Sequence, residues 1–242
     1  MFRILPYLLI CCATVYAIAH SPAGMAPNCA SHIVTMMVEG TLSASGNRSV
    51  PGASFQAELD SAGNYLVTMN GPFGITMARM YATADSFVLV NYLEQQVWYG
   101  NPNNPDLLSA AHLPVSAAEF MILLKGGVPG NAQRFSPANR PGEHVLFVSR
   151  DSLVTEYLLV DTTRNVVLQY QRKDTTSQIL LDVVFTNIEM TDSVAVAHHI
   201  YIDGVRRQQS VSITLTNVRI NQPMPKPLSI SIPQAYQRRY FH

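Results

Sequence analysis

The chain has 242 residues and no net formal charge, with 16 basic and 16 acidic side chains. Hydrophobic residues make up 48% and charged residues 13%, where about a quarter charged is ordinary for a soluble domain. Such a chain lacks the basic footprint that a phosphate backbone selects, which argues against nucleic-acid binding, and it is too apolar to be disordered. One large β domain or two small ones fit the length, with a large buried apolar surface or an apolar cavity.

In chain order, the first segment is MFRILPYLLICCATVYAIA, where Arg3 precedes an apolar run broken by Pro6. The run is short of the about 20 apolar residues of a membrane span. Ala17-Ile18-Ala19 has the small-x-small form of a secretory cleavage site, so residues 1–19 read as a signal peptide cut after Ala19. An uncleaved anchor is the alternative. The same run ends in Cys11-Cys12-Ala13, which resembles a bacterial lipoprotein signal with Cys12 as the acylated residue. Cys29 is the only other cysteine, so no internal pair remains in the mature domain and a disulfide framework is excluded. Each reading places the protein outside the cytoplasm, in a bacterial envelope. Residues 20–31 read as a linker, and 32–242 as a single domain.

Strand signals then dominate. Residues 32–44, 54–60, 64–70, 75–83 and 86–100 are rich in β-branched and aromatic side chains and are bounded by turn residues. Residues 64–81 fold about Gly71-Pro72-Phe73-Gly74. Proline and glycine are ordinary turn chemistry there, but a phenylalanine at a water-facing tip is not, so the ring either folds back onto the sheet or meets a partner outside the chain. The middle, 101–131, has little strand character. A short helical turn is expected at 105–111, then a helix with Ser116 as N-cap and Glu119 at capping-box spacing. Ala117, Phe120, Met121 and Leu124 make one apolar stripe, and Gly126-Gly127 ends it.

Strands resume at 142–150, 153–161, 165–173, 177–190, 193–203 and 208–221, with short turns between them. Asp203-Gly204 is the clearest hairpin signal. There is no room for crossover helices, so the sheet is expected to be antiparallel with chain neighbours paired. Val211, Ile213 and Leu215 alternate with Ser212, Thr214 and Thr216, whereas Gln178 to Phe185 is apolar on both faces. A single curved sheet of long strands around one helical segment accounts for these patterns.

Catalytic sets are missing from the sequence. There is no G-x-S-x-G elbow, no H-E-x-x-H and no phosphate-binding loop. His198 and His199 are adjacent, so on a strand they point to opposite faces and cannot share a metal. His112 and His144 lack carboxylate or cysteine neighbours at ligand spacing, and Asp182 and Glu189 fall on opposite strand faces. Asn47-Arg48-Ser49 matches a glycosylation tripeptide and reads as a polar hairpin loop. The expectation is a protein with no enzymatic activity, no cofactor and no metal. What remains is apolar. Met36, Met37, Met69, Met77 and Met80 lie in the first strands. Methionine serves either as ordinary core or as an adaptable lining for apolar ligands. A curved sheet that does not close tightly, under a helical lid, leaves a cavity of the second kind.

Three stretches carry a resemblance. LVTMNGPFGITMARMYATADSFVLVN resembles the strand-turn-strand of the outer-membrane lipoprotein receptor family LolB. HLPVSAAEFMILLKGGVPGNA is similar to that family's lid segment, and LTNVRINQPMPKPLSISIP to the tail of the wider LolA/LolB carrier and receptor group. Order and spacing agree over roughly residues 32 to 233. The resemblance implies a mainly β fold, a curved antiparallel half-barrel of about eleven strands with a small helical lid. It implies a hydrophobic interior that takes acyl chains of lipoproteins or lipid. A periplasmic lipoprotein carrier is then the donor and the membrane surface the acceptor.

Carried onto this sequence, the receptor's membrane-contacting loop is Pro72-Phe73. The expected cavity lining from the early strands is Val34, Met36, Val38, Met69, Met77, Met80, Val88 and Val90. The lid supplies Phe120, Met121 and Leu124, and the late sheet Ile179, Leu181, Val183 and Phe185. The expected function is non-enzymatic binding of acyl chains, with delivery of lipoproteins to the outer membrane. The alternative is a structural or assembly module that uses the half-barrel to bind a protein partner; a hydrolase with a dispersed site is a third reading.

Overall fold

Two long runs of strands meet along the line where Met36 pairs with Ile220 and Ser45 with Ser210. The computed structural model describes residues 33–46, 50–104, 114–130, 132–138, 142–205 and 208–241. The first run is β1 (Met36–Ser45), β2 (Val50–Leu59), β3 (Tyr65–Asn70), β4 (Thr76–Ala82), β5 (Phe87–Asn91) and β6 (Gln96–Gly100). The second is β7 (Ser136–Pro137), β8 (His144–Arg150), β9 (Val154–Asp161), β10 (Val166–Asp174), β11 (Ile179–Thr191), β12 (Val194–Gly204) and β13 (Gln209–Ile220). The helix α1 (Ala117–Leu124) lies between the runs, and β14 (Gln237–Tyr240) follows them.

All of these strands form one open, curved 14-stranded sheet, in the order β14-β6-β5-β4-β3-β2-β1-β13-β12-β11-β10-β9-β8-β7. The topology explains the position of the helix. β6 and β7 stand toward opposite flanks of the sheet, so the chain between them has to cross the open side. α1 rides on that crossing and fills the concave face. At the seam, the β1–β13 register shifts between Glu39 and Gly40. A Cβ on Gly40 would lie 2.3 Å from the carbonyl oxygen of Thr214, so the close approach admits glycine alone.

The helix begins as its sequence predicts. The Glu119 amide donates to Ser116 Oγ at 3.2 Å, and the Ser116 amide donates to Glu119 Oε2 at 3.0 Å. An eight-residue helix is marginal alone. Its stability comes from Ala117, Phe120, Met121, Leu123 and Leu124, all buried against the inward side chains of the sheet. Each large apolar side chain buried in this way contributes about 1.5–3 kcal/mol.

Three expectations are corrected. The strand expected over 86–100 is two strands, because Asn91 Oδ1 accepts the amides of Leu93 and Glu94 at 3.1 and 3.0 Å and turns the chain. Asp203-Gly204 is no turn; these residues stay in the ladder opposite Ser210 and Gln209, and the reversal follows them. Gly204 is needed because a Cβ there would meet Pro114 at 2.3 Å. The sheet has 14 strands rather than about eleven, and β14 pairs in parallel with β6, from Gln237–Gln96 to Tyr240–Tyr99.

The parallel pairing has a physical origin. β13 ends at one rim of the sheet, and the tail crosses the outer face before pairing from the other rim. On its way Ser229 O accepts a long 3.5 Å hydrogen bond from Arg79 Nη2, and the rings of Tyr92 and Tyr236 meet edge-on at 6.1 Å. The signal segment, Cys12, the 20–31 linker, the tripeptide at 47–49 and the helical turn at 105–111 lie outside the described residues.

Candidate functional site

Most of the concave face is apolar. Met36, Val38, Met80, Leu181, Val183 and Phe185 of the sheet and Phe120, Met121 and Leu124 of α1 are buried in one cluster. Met69 packs half-buried against that cluster, and Ile179 is half-buried at the start of β11. The structure thus brings most of the expected lining residues together.

Four stand elsewhere. Val34 precedes β1 and is 55% exposed. Met77, Val88 and Val90 project from the outer face. Strand alternation decides this: Met77 and Met80 are three residues apart and cannot share a face. Met80 pairs with Val67 and Leu89 on the inner side, whereas Arg79 pairs with Val90 and Tyr81 with Val88 on the other. Val90 and its partner Val97 are fully buried even so. The C-terminal segment that reaches Arg79 covers them.

A polar cluster sits at the mouth of the interior, where β9 starts, β10 ends and α1 begins. Glu156, Tyr170 and Arg172 occupy inward positions, in register with Leu158 and with Leu181 across the sheet. Tyr170 Oη donates a short hydrogen bond to Glu156 Oε1. Arg134 reaches Glu156 Oε2 at 2.7 Å and also donates to the carbonyl of Pro129 at 2.8 Å. Arg172 donates from Nη2 to Glu119 Oε1 at 2.8 Å and to Tyr170 Oη at 3.0 Å. Two cations and two carboxylates balance, as a low-dielectric site requires.

Burial alone would raise the Glu119 pKa, but the Arg172 charge and the hydrogen bonds from Ser116 and Arg172 outweigh it and hold the carboxyl below its usual range. Burial also raises the Tyr170 hydroxyl, which stays a neutral donor. Around this cluster opens a cleft of about 500 Å³. Ser116, Glu119, Ile122, Pro129, Arg134, Val154, Glu156 and Arg172 are among its lining residues, and none of the expected cavity residues is. Sequence reasoning missed these groups. Their signal was present: Glu156 and Arg172 are charges at inward positions of strands that otherwise alternate apolar.

The third feature is the β3–β4 turn. The Gly71 amide donates to Ile75 O at 2.8 Å and the Gly74 amide to Gly71 O at 3.2 Å, which closes the loop. Phe73 sits at its apex with φ 60° and ψ 20°, the left-handed region that disfavours bulky side chains. It is 100% exposed, so its ring folds back on nothing, and Ile75 beside it is 61% exposed. Among the described residues, no three His, Cys, Asp or Glu side chains converge as a metal site would need.

An open, curved, antiparallel half-barrel closed by one short helix defines a class, the LolA-like fold. Three solved structures share it with this chain. A DUF1329 family protein from Desulfovibrio piger superposes with a TM-score of 0.59 at 11% identity, over 81% of this chain and 89% of its own. A putative outer membrane lipoprotein-sorting protein domain from Vibrio parahaemolyticus gives 0.57 at 10% identity, over 79% and 87%. A LolA superfamily protein from Nitrosomonas europaea gives 0.53 at 7% identity, over 78% and 87%. At these identities the likeness is one of fold. No family model and no curated protein matches the sequence.

Proposed function

We propose that this is a non-enzymatic lipid-handling protein of the bacterial envelope. It takes acyl chains of a lipoprotein or lipid against its concave face and passes them to the outer membrane. The observation that carries the reading is Phe73, a fully exposed aromatic ring held at φ 60° on a hairpin tip. Leaving a phenylalanine in water forgoes about 1.5–3 kcal/mol, which a bilayer returns. One ring cannot anchor a protein when a whole myristoyl chain binds only marginally. Phe73 therefore acts as a wedge, and acylation at Cys12 would supply the anchor. A periplasmic lipoprotein carrier is the natural donor.

In this closed form the inner face is covered by α1, so cargo enters only if the helix yields. The mouth cluster is where it is held. Transfer requires no cofactor, since each step exchanges one apolar contact for a better one. A fluorescent fatty acid tests the reading: saturable one-to-one uptake, lost on Met69→Trp at the half-buried inner face, is the expected result. Absence of uptake refutes it.

One observation favours a second reading. The inner face is buried by the chain's own side chains, with Phe120 at 2% and Val183 at 0% exposure. A half-barrel filled in this way can serve as an assembly module that binds a protein partner, and it would take up no probe.

A further inference from the structure

The two rims of the half-barrel are built from the same kind of turn, and they display different residues. At one rim Asp60 Oδ1 accepts the Ala62 amide at 2.9 Å, Thr83 Oγ1 the Asp85 amide at 3.3 Å, and Asp161 Oδ1 the Thr163 amide at 2.9 Å. The residue two positions on, which such a turn pushes outward, is small or polar each time. At the other rim Asn91 Oδ1 accepts the Leu93 amide at 3.1 Å and Asp151 Oδ1 the Leu153 amide at 2.7 Å. Here the displayed residues are leucines, 67% and 73% exposed. Thr176, set up by Asp174, is the polar exception on this rim.

Strand register puts Phe73 and Val205 at this same rim. Asn70 and Asn91 end strands that run beside one another through β4, and Ser210, just past Val205, pairs with Ser45. Val205 is 45% exposed. On the opposite rim Met190 and Val34 are also exposed, but Met190 lies within β11 and Val34 ahead of β1, not at turn tips. Folding does not require leucine at a turn position exposed over two-thirds of its surface, since alanine, aspartate and threonine serve in the matching turns.

We propose that the rim bearing Leu93, Phe73, Val205 and Leu153 is a bilayer-docking surface, with the two leucines inserting along with Phe73. This rests on the membrane-facing role given above to Phe73 and extends it to the orientation of the whole half-barrel. A lipid surface is the occupant the geometry favours. The tips belong to separate hairpins: Leu93 stands two strands, or about 10 Å, from Phe73, and Val205 and Leu153 lie four and eight strands from it along the sheet, with polar groups such as Glu94 beside them. A protein partner needs a contiguous, complementary patch of about 800 Å² per side. Discrete apolar tips among polar groups instead suit the headgroup–acyl boundary, which deforms around each one. The cleft beside Glu119 opens toward this rim, since Asp151 and Val154 line it. Docking would bring that mouth to the lipid.

The test uses the full chain with phosphatidylcholine vesicles whose acyl chains are brominated. Trp98 is the one native tryptophan, so a second one reports its own depth. Leu93→Trp and Leu153→Trp should be quenched on vesicle addition, and Ala62→Trp and Asp85→Trp at the opposite rim should not. Equal quenching at both rims, or none at 93 and 153, overturns the proposal. The Leu93→Ser, Leu153→Ser double variant should lower vesicle partition by roughly ten-fold while fatty-acid uptake stays as in the native chain. Unchanged partition also overturns it. A chain that is quenched at this rim yet takes up no fatty acid retains the docking surface and loses the cargo reading, so the two failures are separable.

Discussion

Arg172 on β10 and Glu119 on α1 meet at 2.8 Å, and the same carboxylate closes the capping box of the helix. One side chain therefore both starts the helix and ties it to the sheet. Arg172→Ala removes the tie and leaves Glu119 and Tyr170 short of a donor. Loss of a charged partner at a half-buried site costs about 2–4 kcal/mol. Denaturant unfolding should show a loss of that size, and hydrogen exchange should quicken in α1 before it does in β1 or β13. Arg172→Lys should recover little, because an ammonium lacks the guanidinium's fork. Unchanged exchange in α1 would show that the helix is held by packing alone.

The same pair sets an acid limit. The Glu119 carboxyl has its pKa lowered in the fold, so its contribution to stability is complete above the ordinary carboxylate value of about 4.3 and is lost as pH falls through the folded value. Stability should therefore decline below about pH 4, and the decline should be shallower in Glu119→Gln. Parallel pH profiles for the two proteins would count against the assignment.

Phe73→Asn separates strain from contact. Asparagine adopts φ near +60° more readily than phenylalanine, and the ring has no intramolecular partner to lose. The unfolding free energy should stay within about 0.5 kcal/mol of the native value. Delivery of lipoprotein to membranes should fall, as it should for Phe73→Glu. A stability loss above about 1 kcal/mol would mean that the ring packs within the chain.

Met77 and Met80 test the faces of β4. Met80 is 6% exposed on the inner side, and Met80→Ala should cost about 2–5 kcal/mol. Met77 lies over Gly71 on the outer side, and Met77→Ala should cost about 1 kcal/mol or less. The reverse order would place the register of β4 one residue off.

Much of this was legible in the chain. Alternation over Val211–Leu215 and the capping box at Ser116 and Glu119 are local patterns, and local geometry enforces them wherever the segment packs. The turn at Phe73 was legible for the same reason, because a four-residue turn has few conformations, but whether its ring folds back onto the sheet was decided only by the structure. The assignment of Met77, Val88 and Val90 to the interior failed on information that no local pattern carries. Met77 and Val88 are apolar on a face that looks half-solvated, and the tail that covers Val90 arrives from more than a hundred residues away. Glu156, Tyr170 and Arg172 became a site only when α1 brought Glu119 to them.

The sequence by itself determined most of the strands, the helix and its cap, the turn at Phe73, and the neutral, apolar composition of the chain. These follow from periodicities and backbone preferences that act over a few residues. The tertiary structure alone decided that β1 joins β13, that the tail crosses the outer face to pair in parallel with β6, and that the mouth is closed by paired charges. It also decided which rim carries the leucines. Each of these depends on which distant segments meet, and a one-residue change of register would move every side chain of a strand to the other face.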